Sequence, residues 1–250
     1  MLISRAALGL AAALSLAACQ KVDDAAFGRR VHTYLMAHPE VIREMALKLA
    51  ENERLQAAKA STDQIRKNRD QLERDPRDFV ANPGGKVTVV EFFDYRCGYC
   101  KLAAPEVLQL IQDNPDVRFV FKEFPIFGTV SDTAAKVVLT ASGKAKGLEL
   151  YQGLMAEKAL DDSALDRHLA AAGLDPAALR RESEQPAIAR QIADVRQLAQ
   201  ALKIEGTPAF IVGDTLIPGA DMAALRAAIT VAKAGDLKKP SQGPALPRSS

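Results

Sequence analysis

Two cysteines separated by two residues, Cys97 and Cys100, are the residues of this sequence best suited to chemistry. They lie in the stretch EFFDYRCGYCK, which runs from Glu91 to Lys101. Such a pair could form a structural disulfide, supply half of a metal site, or act as a redox centre. The rest of the chain must decide among these three uses.

The sequence disfavours both the structural disulfide and the metal site. A disulfide between such close neighbours closes a very short loop, so it gains little from loop-closure entropy. A structural zinc site needs about four ligands. The one other cysteine is Cys19, and His32, His38 and His168 show no ligand-like spacing.

A redox centre fits the local pattern, because a strand-like run ends at the cysteines and a helix-like run begins there. The first sulfur would then lie at a helix N-terminus, where free N–H groups and the helix dipole stabilise a thiolate. We therefore expect Cys97 to be an exposed nucleophile of low pKa. Cys100, one turn later, would be shielded and would resolve the mixed disulfide that Cys97 forms with a substrate.

The elements around the cysteines follow the order strand, helix, strand. The segment after the second strand is helical in character, and strand character then returns with a turn at Gly213-Asp214. A last helix follows, with Asp221 as its predicted N-cap. The segments are KVTVVEFFDY, CGYCKLAAPEVLQLIQDNP, DVRFVFKEFPI, the helical block 131–203, IEGTPAFIVGDTLIPGA and DMAALRAAITVAKAG.

The first 18 residues have the pattern of a secretory signal, with one arginine, an apolar run and small residues before Cys19. The end of this segment, Leu16-Ala17-Ala18-Cys19, resembles the bacterial lipobox, which predicts cleavage before Cys19 and its lipidation. Ordinary signal cleavage nearby is the alternative. No later segment reaches about 18 uninterrupted apolar residues. Export would place Cys97 and Cys100 where disulfides form.

Residues 19–76 form a predicted helical arm, in which Pro39 suits a first helical turn. Ile42, Met45 and Leu49 make an apolar stripe, and a thinner stripe begins at Leu55 in a different register. This predicts two helices, the second long and largely solvated. The arm could pack on its own domain, or it could be an oligomerisation stalk, since its stripe is too thin to bury alone.

Composition excludes some classes of partner. Apolar residues make up 48% of the chain, which is enough for one core of ordinary size with appendages. The 33 basic and 31 acidic residues leave a formal charge of +2, so nothing favours nucleic acid as a partner. No glycine-rich phosphate loop is present, so no nucleotide or flavin cofactor is implied.

Residues from about 87 to 233 resemble the DsbA-like branch of the thioredoxin superfamily. The resemblance rests on EFFDYRCGYC, the helical block that follows, and GTPAFIVG. Together with the HPEVIREM segment, it is most similar to ScsC-type proteins and their lipoprotein relatives. It implies an α/β thioredoxin-like fold at 77–130 and 204–234, an inserted all-helical domain at 131–203, and a disordered tail at 235–250.

The resemblance also implies roles for particular residues. Thr207-Pro208 matches a cis-proline loop that faces the cysteines, where the Thr207 backbone would pair with an extended substrate. Glu91 matches a buried acidic residue and Lys122 its basic partner. Glu91 could raise a thiol pKa or relay protons to Cys100. Alternatively, Glu91 and Lys122 form a purely structural ion pair.

Three features favour disulfide reduction or isomerisation over oxidation. The dipeptide Gly98-Tyr99 lacks the histidine with which strong oxidases of the family stabilise the thiolate, so these residues tune the potential. Thr207 before the cis-proline is typical of reducing or isomerising relatives. The arm would bring several active sites together. A DsbA-type oxidase is the alternative, and a lipid-anchored binding or scaffold protein with a non-catalytic domain is the second.

The predicted partners follow from this reading. They are periplasmic proteins with disulfides or thiols, together with a membrane redox partner of the DsbD type, or of the DsbB type for an oxidase. A self-associating arm would add a second copy of the chain. The sole membrane attachment would be the lipid at Cys19, and Gln20 favours the outer membrane. No cofactor or metal is expected.

Overall fold

The structure, a computed structural model, describes residues 24–237. It divides into an N-terminal unit, residues 1–57, and a C-terminal unit, residues 58–250. The predicted signal peptide, Cys19 and residues 238–250 lie outside the described residues.

The N-terminal unit contains helix α1, Asp24–Ala37, and the first part of helix α2, Glu40–Lys67. The helices are separated at His38-Pro39, because proline disfavours helical backbone in the residue before it. The expected break between Leu49 and Leu55 is wrong, since α2 runs through it without interruption. No described residue of this unit is buried.

The C-terminal unit is built on a five-stranded sheet in the order β1-β3-β2-β4-β5. β2 and β3 are parallel neighbours, and the other three pairings are antiparallel. The edge strand β1 lies at the start of the segment 77–130 that was predicted to be thioredoxin-like. The strands are β1 Phe79–Ala81, β2 Val87–Phe93, β3 Val117–Glu123, β4 Ala209–Val212 and β5 Thr215–Pro218.

Strand β2 is buried on both faces, as its continuous apolar run predicts. Val89 and Phe93 pack in the larger core cluster, whereas Val90 and Phe92 pack in a second cluster across the sheet. Burying a large apolar side chain contributes about 1.5–3 kcal/mol. The two covered faces therefore fix the strand that leads into the cysteines.

Helices join the strands in the predicted order. Helix α4, Gly98–Asp113, connects β2 to β3, and six helices form the insertion between β3 and β4. The remaining helices are α3 Arg69–Glu73, α5 Thr129–Val138, α6 Ala141–Ala145, α7 Gly147–Ala156, α8 Asp162–Ala171, α9 Pro176–Ser183, α10 Pro186–Ala201 and α11 Met222–Leu237. The expected thioredoxin-like α/β fold with a helical insertion and a preceding helical segment is confirmed.

The hairpin and the last helix also form as predicted. Gly213 adopts a φ of 60° at the turn between β4 and β5, a left-handed conformation that suits glycine. The Asp221 carboxylate accepts a hydrogen bond from the Ala224 N–H at 2.9 Å, which caps α11. The hairpin places the start of β4, next to Thr207-Pro208, beside the centre of the sheet.

Candidate active site

Cys97 is the N-cap of α4, directly after the loop that leaves β2. Its backbone is extended, with φ −71° and ψ 120°, and its sulfur accepts a hydrogen bond from the Cys100 N–H at 3.3 Å. A residue in this position satisfies one of the free N–H groups of the helix. The sulfur therefore lies where the helix stabilises negative charge.

The environment lowers the pKa of the Cys97 thiol from 9.0 to about 6. Hydrogen bonding with the Cys100 side chain contributes most, burial opposes it, and hydrogen bonding from Thr207 and from the backbone of Cys100 and Tyr99 lowers the pKa further. A substantial fraction of Cys97 is thus thiolate at neutral pH, which is the reactive form.

The expected exposure of Cys97 is wrong, because the residue is only 2% exposed. The cis-proline loop covers it, and its thiol donates a hydrogen bond to the Thr207 carbonyl at 3.1 Å. The following residues, Gly98 and Tyr99, are exposed instead, and Tyr99 is 68% exposed. The sulfur therefore lies against the backbone of Thr207.

Cys100 is fully buried, at 0% exposure. Burial, the hydrogen bond with Cys97 and the charge of Glu91 raise the pKa of its thiol. Both cysteines are free thiols. The pair is therefore asymmetric, with a ready nucleophile at Cys97 and a protonated thiol at Cys100 that needs a proton acceptor before it can react.

The peptide bond between Thr207 and Pro208 is cis, as the resemblance implies. The Pro208 carbonyl accepts the Gly219 N–H at 2.8 Å, which ties this loop to the end of β5. The Thr207 carbonyl faces the Cys97 sulfur. An incoming extended segment would meet this backbone beside the nucleophile.

Asp94 holds the loop before the cysteines, a role that the sequence reading missed. One carboxylate oxygen accepts the Arg96 N–H at 2.7 Å and the Ser131 hydroxyl at 2.8 Å. The other accepts the N–H groups of Ile126 and Phe127 at 2.7 and 3.0 Å. An aspartate directly after a buried strand is a known turn signal, so part of this role could have been predicted.

Glu91 is buried, at 1% exposure, on the face of the sheet that carries the cysteines. Both of its oxygens lie 3.1 Å from the hydroxyl of Tyr151 in α7, a residue that the sequence reading missed. Burial raises the pKa of Glu91 to about 8, the Tyr151 hydrogen bond lowers it, and the charge of Cys97 raises it.

Lys122 is not the partner of Glu91, which corrects the expected pair. In the register of β2 and β3, Glu91 is opposite Phe121 and Lys122 is opposite Phe92. Because successive side chains of a strand alternate between faces, Glu91 and Lys122 point to opposite sides of the sheet. Lys122 instead forms a buried ion pair with Asp78 and donates to the Gln71 carbonyl.

The arrangement can carry out thiol–disulfide exchange, with Cys97 as the nucleophile and Cys100 as the resolving thiol. Among residues 24–237, no group of three or more His, Cys, Asp or Glu side chains could hold a metal ion. Exposed apolar side chains flank the cysteines on α4 and on the loop after β3, namely Tyr99, Leu102, Ile126 and Phe127.

Comparison with known families decides the assignment. The profile of the DSBA-like thioredoxin domain matches residues 88–230. The chain belongs to this family. A second profile, the copper resistance protein ScsC N-terminal domain, matches residues 23–57, so the expected likeness to ScsC-type proteins is confirmed.

Solved structures support the membership in the DSBA-like family. A thioredoxin-like oxidoreductase from Silicibacter pomeroyi is 40% identical, with a TM-score of 0.63, and the alignment covers 67% of this chain and 98% of that one. Salmonella enterica Typhimurium BcfH is 33% identical, with a TM-score of 0.70, and the alignment covers 84% of this chain and 96% of that one.

Among curated proteins, the chain is 31% identical over 169 residues to the Na(+)/H(+) antiporter NhaA 1 of Salinispora arenicola. The match covers 66% of this chain and 26% of that protein, so the chain spans about a quarter of this relative. Within residues 24–237, no helix has both the length and the apolar character needed to cross a membrane.

Proposed function

We propose that this DSBA-like protein is an exported thiol:disulfide oxidoreductase that reduces or isomerises disulfides of periplasmic proteins. The observation that carries the proposal is the asymmetry of the two thiols. Cys97 caps α4 with a pKa of about 6, whereas the pKa of the buried Cys100 thiol is raised. This pairs a nucleophile with a resolving thiol.

In the proposed reaction, the Cys97 thiolate attacks one sulfur of a substrate disulfide. The substrate S–S bond breaks, a Cys97–substrate disulfide forms, and the electron pair leaves with the other substrate sulfur. Cys100 then loses its proton and attacks Cys97, which releases the second substrate thiolate and leaves a Cys97–Cys100 disulfide. The substrate is reduced by two electrons and the cysteine pair is oxidised.

The direction of electron flow rests on the residues between and opposite the cysteines. Gly98 has no side chain and Tyr99 points into solvent, so neither stabilises the Cys97 thiolate through its side chain. Thr207 faces Cys97 through its carbonyl. These features favour a reductase or isomerase that a DsbD-type membrane partner keeps reduced.

The oxidase alternative, with a DsbB-type partner, is favoured by one observation. A Cys97 pKa of about 6 stabilises the reduced form of the protein, and a stabilised reduced form makes an oxidant stronger. The redox potential decides between the two directions. A potential near that of the strong oxidases, or recovery of fully oxidised protein from cells, would favour the alternative.

Self-association and export complete the proposal. The described helices of the N-terminal unit expose large apolar side chains, among them Phe27, Tyr34, Met36 and Met45. Their exposure supports an oligomerisation arm, which would help an isomerase by presenting several active sites. Residues 1–18 would direct export to the periplasm, with a lipid at Cys19. One solved relative is described as a periplasmic thioredoxin-like protein from Salmonella.

The proposal is tested by insulin reduction and by reactivation of scrambled ribonuclease. Cys97→Ala should abolish both activities, and Cys100→Ala should accumulate mixed disulfides. Undiminished turnover without Cys97 would contradict the proposed reaction, and no turnover in the parent protein would favour the scaffold alternative. The oligomeric mass of the chain, measured with and without residues 20–57, tests the arm, since a monomer in both forms argues against isomerase activity.

A further inference from the structure

Glu91 has an unusual set of partners for a buried carboxylate. Its two oxygens share the hydroxyl of Tyr151, at 3.1 Å each. In the part of the chain that the structure describes, no basic side chain forms an ion pair with it, because the neighbouring Lys122 points to the opposite face. A neutral hydroxyl therefore replaces the cation that a buried carboxylate normally needs.

The titratable groups around Glu91 come from a few elements. Cys97 and Cys100 of α4 interact with its charge, and so do Tyr95 and Glu123 at the ends of β2 and β3. Its register neighbours are the apolar side chains of Phe121 in β3 and Phe210 in β4. Among the described side chains, the Tyr151 hydroxyl is thus the one hydrogen-bond donor to Glu91.

Packing fixes the direction of that hydroxyl. The Tyr151 ring lies 4.9 Å from the ring of Phe121 and 5.4 Å from that of Phe93, measured between centroids. Tyr151 itself is buried in α7 of the inserted helical domain. The insertion therefore delivers a fixed donor to an acid on the central strand of the sheet.

We propose that Tyr151 is a positioning residue whose hydroxyl keeps Glu91 able to accept the proton that Cys100 loses during resolution. The inference rests on the proposed function. In this step the Cys100 sulfur bonds to Cys97, the bond from Cys97 to the substrate breaks, and the electron pair leaves with the substrate sulfur. The Cys100 proton passes to the Glu91 carboxylate.

The electrostatics of the site agree with this role. Burial raises the pKa of Glu91 to about 8, and the Tyr151 hydrogen bond acts against that rise. A hydroxyl that donates to a carboxylate stabilises its charged form. Without the hydroxyl, the fraction of Glu91 that is charged at neutral pH would fall further, so that fewer molecules could take the proton from Cys100.

Tyr151→Phe tests the proposal, and Tyr95→Phe is its matched control. Tyr95 is also buried, packs against Phe93, and donates to a buried carboxylate, Glu123, at 2.8 Å. Both variants lose one hydroxyl and one tyrosine–carboxylate hydrogen bond. The two carboxylates differ in their link to the cysteines. The pKa of Glu91 responds to the charge of Cys97, whereas the pKa of Glu123 is set by burial, by Tyr95 and by other acids.

The reduced full-length protein is mixed with excess disulfide peptide, quenched with acid and analysed by mass spectrometry. The decay of the mixed disulfide gives the resolution rate. Tyr151→Phe should slow resolution at pH 7 by about tenfold, the factor for loss of one hydrogen bond to a charged group. The difference should shrink above the raised pKa of Glu91. Tyr95→Phe should stay within about twofold of the parent, because its hydroxyl bonds another acid.

A second measurement does not depend on turnover. With glutamate labelled at the side-chain carboxyl carbon, NMR follows the titration of Glu91 directly. Tyr151→Phe should raise its midpoint, Tyr95→Phe should leave it in place, and Tyr151→Phe should slow resolution no further in a Glu91→Gln background. Equal slowing in both tyrosine variants, or slowing that is the same at every pH, would overturn the proposal. Failure of the parent protein to reduce the peptide would instead count against the proposed function.

Discussion

Two buried carboxylates on opposite faces of one sheet, Glu91 and Asp78, have opposite kinds of partner. Glu91 shares the face of the cysteines and accepts from the neutral hydroxyl of Tyr151. Asp78 pairs with the ammonium of Lys122, both side chains being 1% exposed, and its other oxygen accepts from Gln191 at 3.3 Å. The two sites therefore differ in the charge of the partner, which is neutral for Glu91 and positive for Asp78.

The difference supports the proposal that Asp78 serves structure and Glu91 serves chemistry. Burial raises the pKa of Asp78 to about 6, while Lys122 acts against the rise, so this carboxylate is charged at neutral pH. Lys122 also donates to the Gln71 carbonyl, so the pair joins α3, β3 and the segment before β1. Glu91, with a pKa of about 8, can instead gain and lose a proton near neutrality.

Removal of Lys122 should have the largest effect on stability. Lys122→Met leaves Asp78 buried without its cation, and breaking a buried pair typically costs about 3–5 kcal/mol. The free energy of unfolding, measured with denaturant at pH 7, should fall by about this amount. The Cys97 pKa should not change, because the pair lies across the sheet from the cysteines.

The control for this prediction removes both charges. A double variant, Asp78→Asn with Lys122→Met, leaves no unpaired charge, so it should regain much of the lost stability. If Lys122→Met alone leaves the free energy of unfolding unchanged, the ion pair does not stabilise the fold. A changed Cys97 pKa in that variant would contradict the separation of the two faces.

Glu91→Gln should change how stability depends on pH. The unfolded pKa of Glu91 is near 4.5 and the folded value is about 8, so the folded state binds this proton more tightly. The stability from this site is therefore fully present below about pH 4.5 and is lost as the pH rises through about 8. Relative to the parent, the variant should gain roughly 1.4 kcal/mol per pH unit across that window.

The difference in stability between the parent and Glu91→Gln isolates the contribution of Glu91, since both proteins share the opposite contribution of Cys97. Glu157→Gln provides a matched control, because the same substitution is made at a partly exposed acid whose pKa His168 lowers. That variant should not reproduce the gain. A difference between Glu91→Gln and the parent that stays flat from pH 5 to 8 would show that Glu91 is not held at a raised pKa.

Local patterns in the sequence were enough to predict the position of the two cysteines at the start of a helix, the order of elements and the hairpin. Cys97 and Cys100 follow a run that is apolar on both faces, and Gly213-Asp214 is a turn signal that depends on neighbouring residues alone. These features are decided within a few residues along the chain. They were therefore accessible without knowledge of the tertiary structure.

The missed features depend on register and on distant contacts. One residue of register decides whether Lys122 and Glu91 share a face, and nothing in either strand alone fixes that register. Tyr151 lies 60 residues from Glu91, in a helix of the insertion between β3 and β4. The burial of Cys97 depends on Thr207, which is 110 residues away. Such contacts appear only when the sheet and the insertion are assembled.

The pH dependence of Cys97 alkylation should change least when either buried acid site is altered. Alkylation by iodoacetamide, with mass spectrometry to locate the label, should give a midpoint near pH 6 in the parent protein. Lys122→Met should not move it. Glu91→Gln should shift it by less than about one pH unit, because Glu91, with a pKa of about 8, is mostly protonated at pH 6 and carries little charge there. A midpoint more than about one pH unit lower in Glu91→Gln would show that Glu91 is charged at pH 6 and so is not held at a raised pKa, whereas a shifted midpoint in Lys122→Met would show that the face with Asp78 also acts on Cys97.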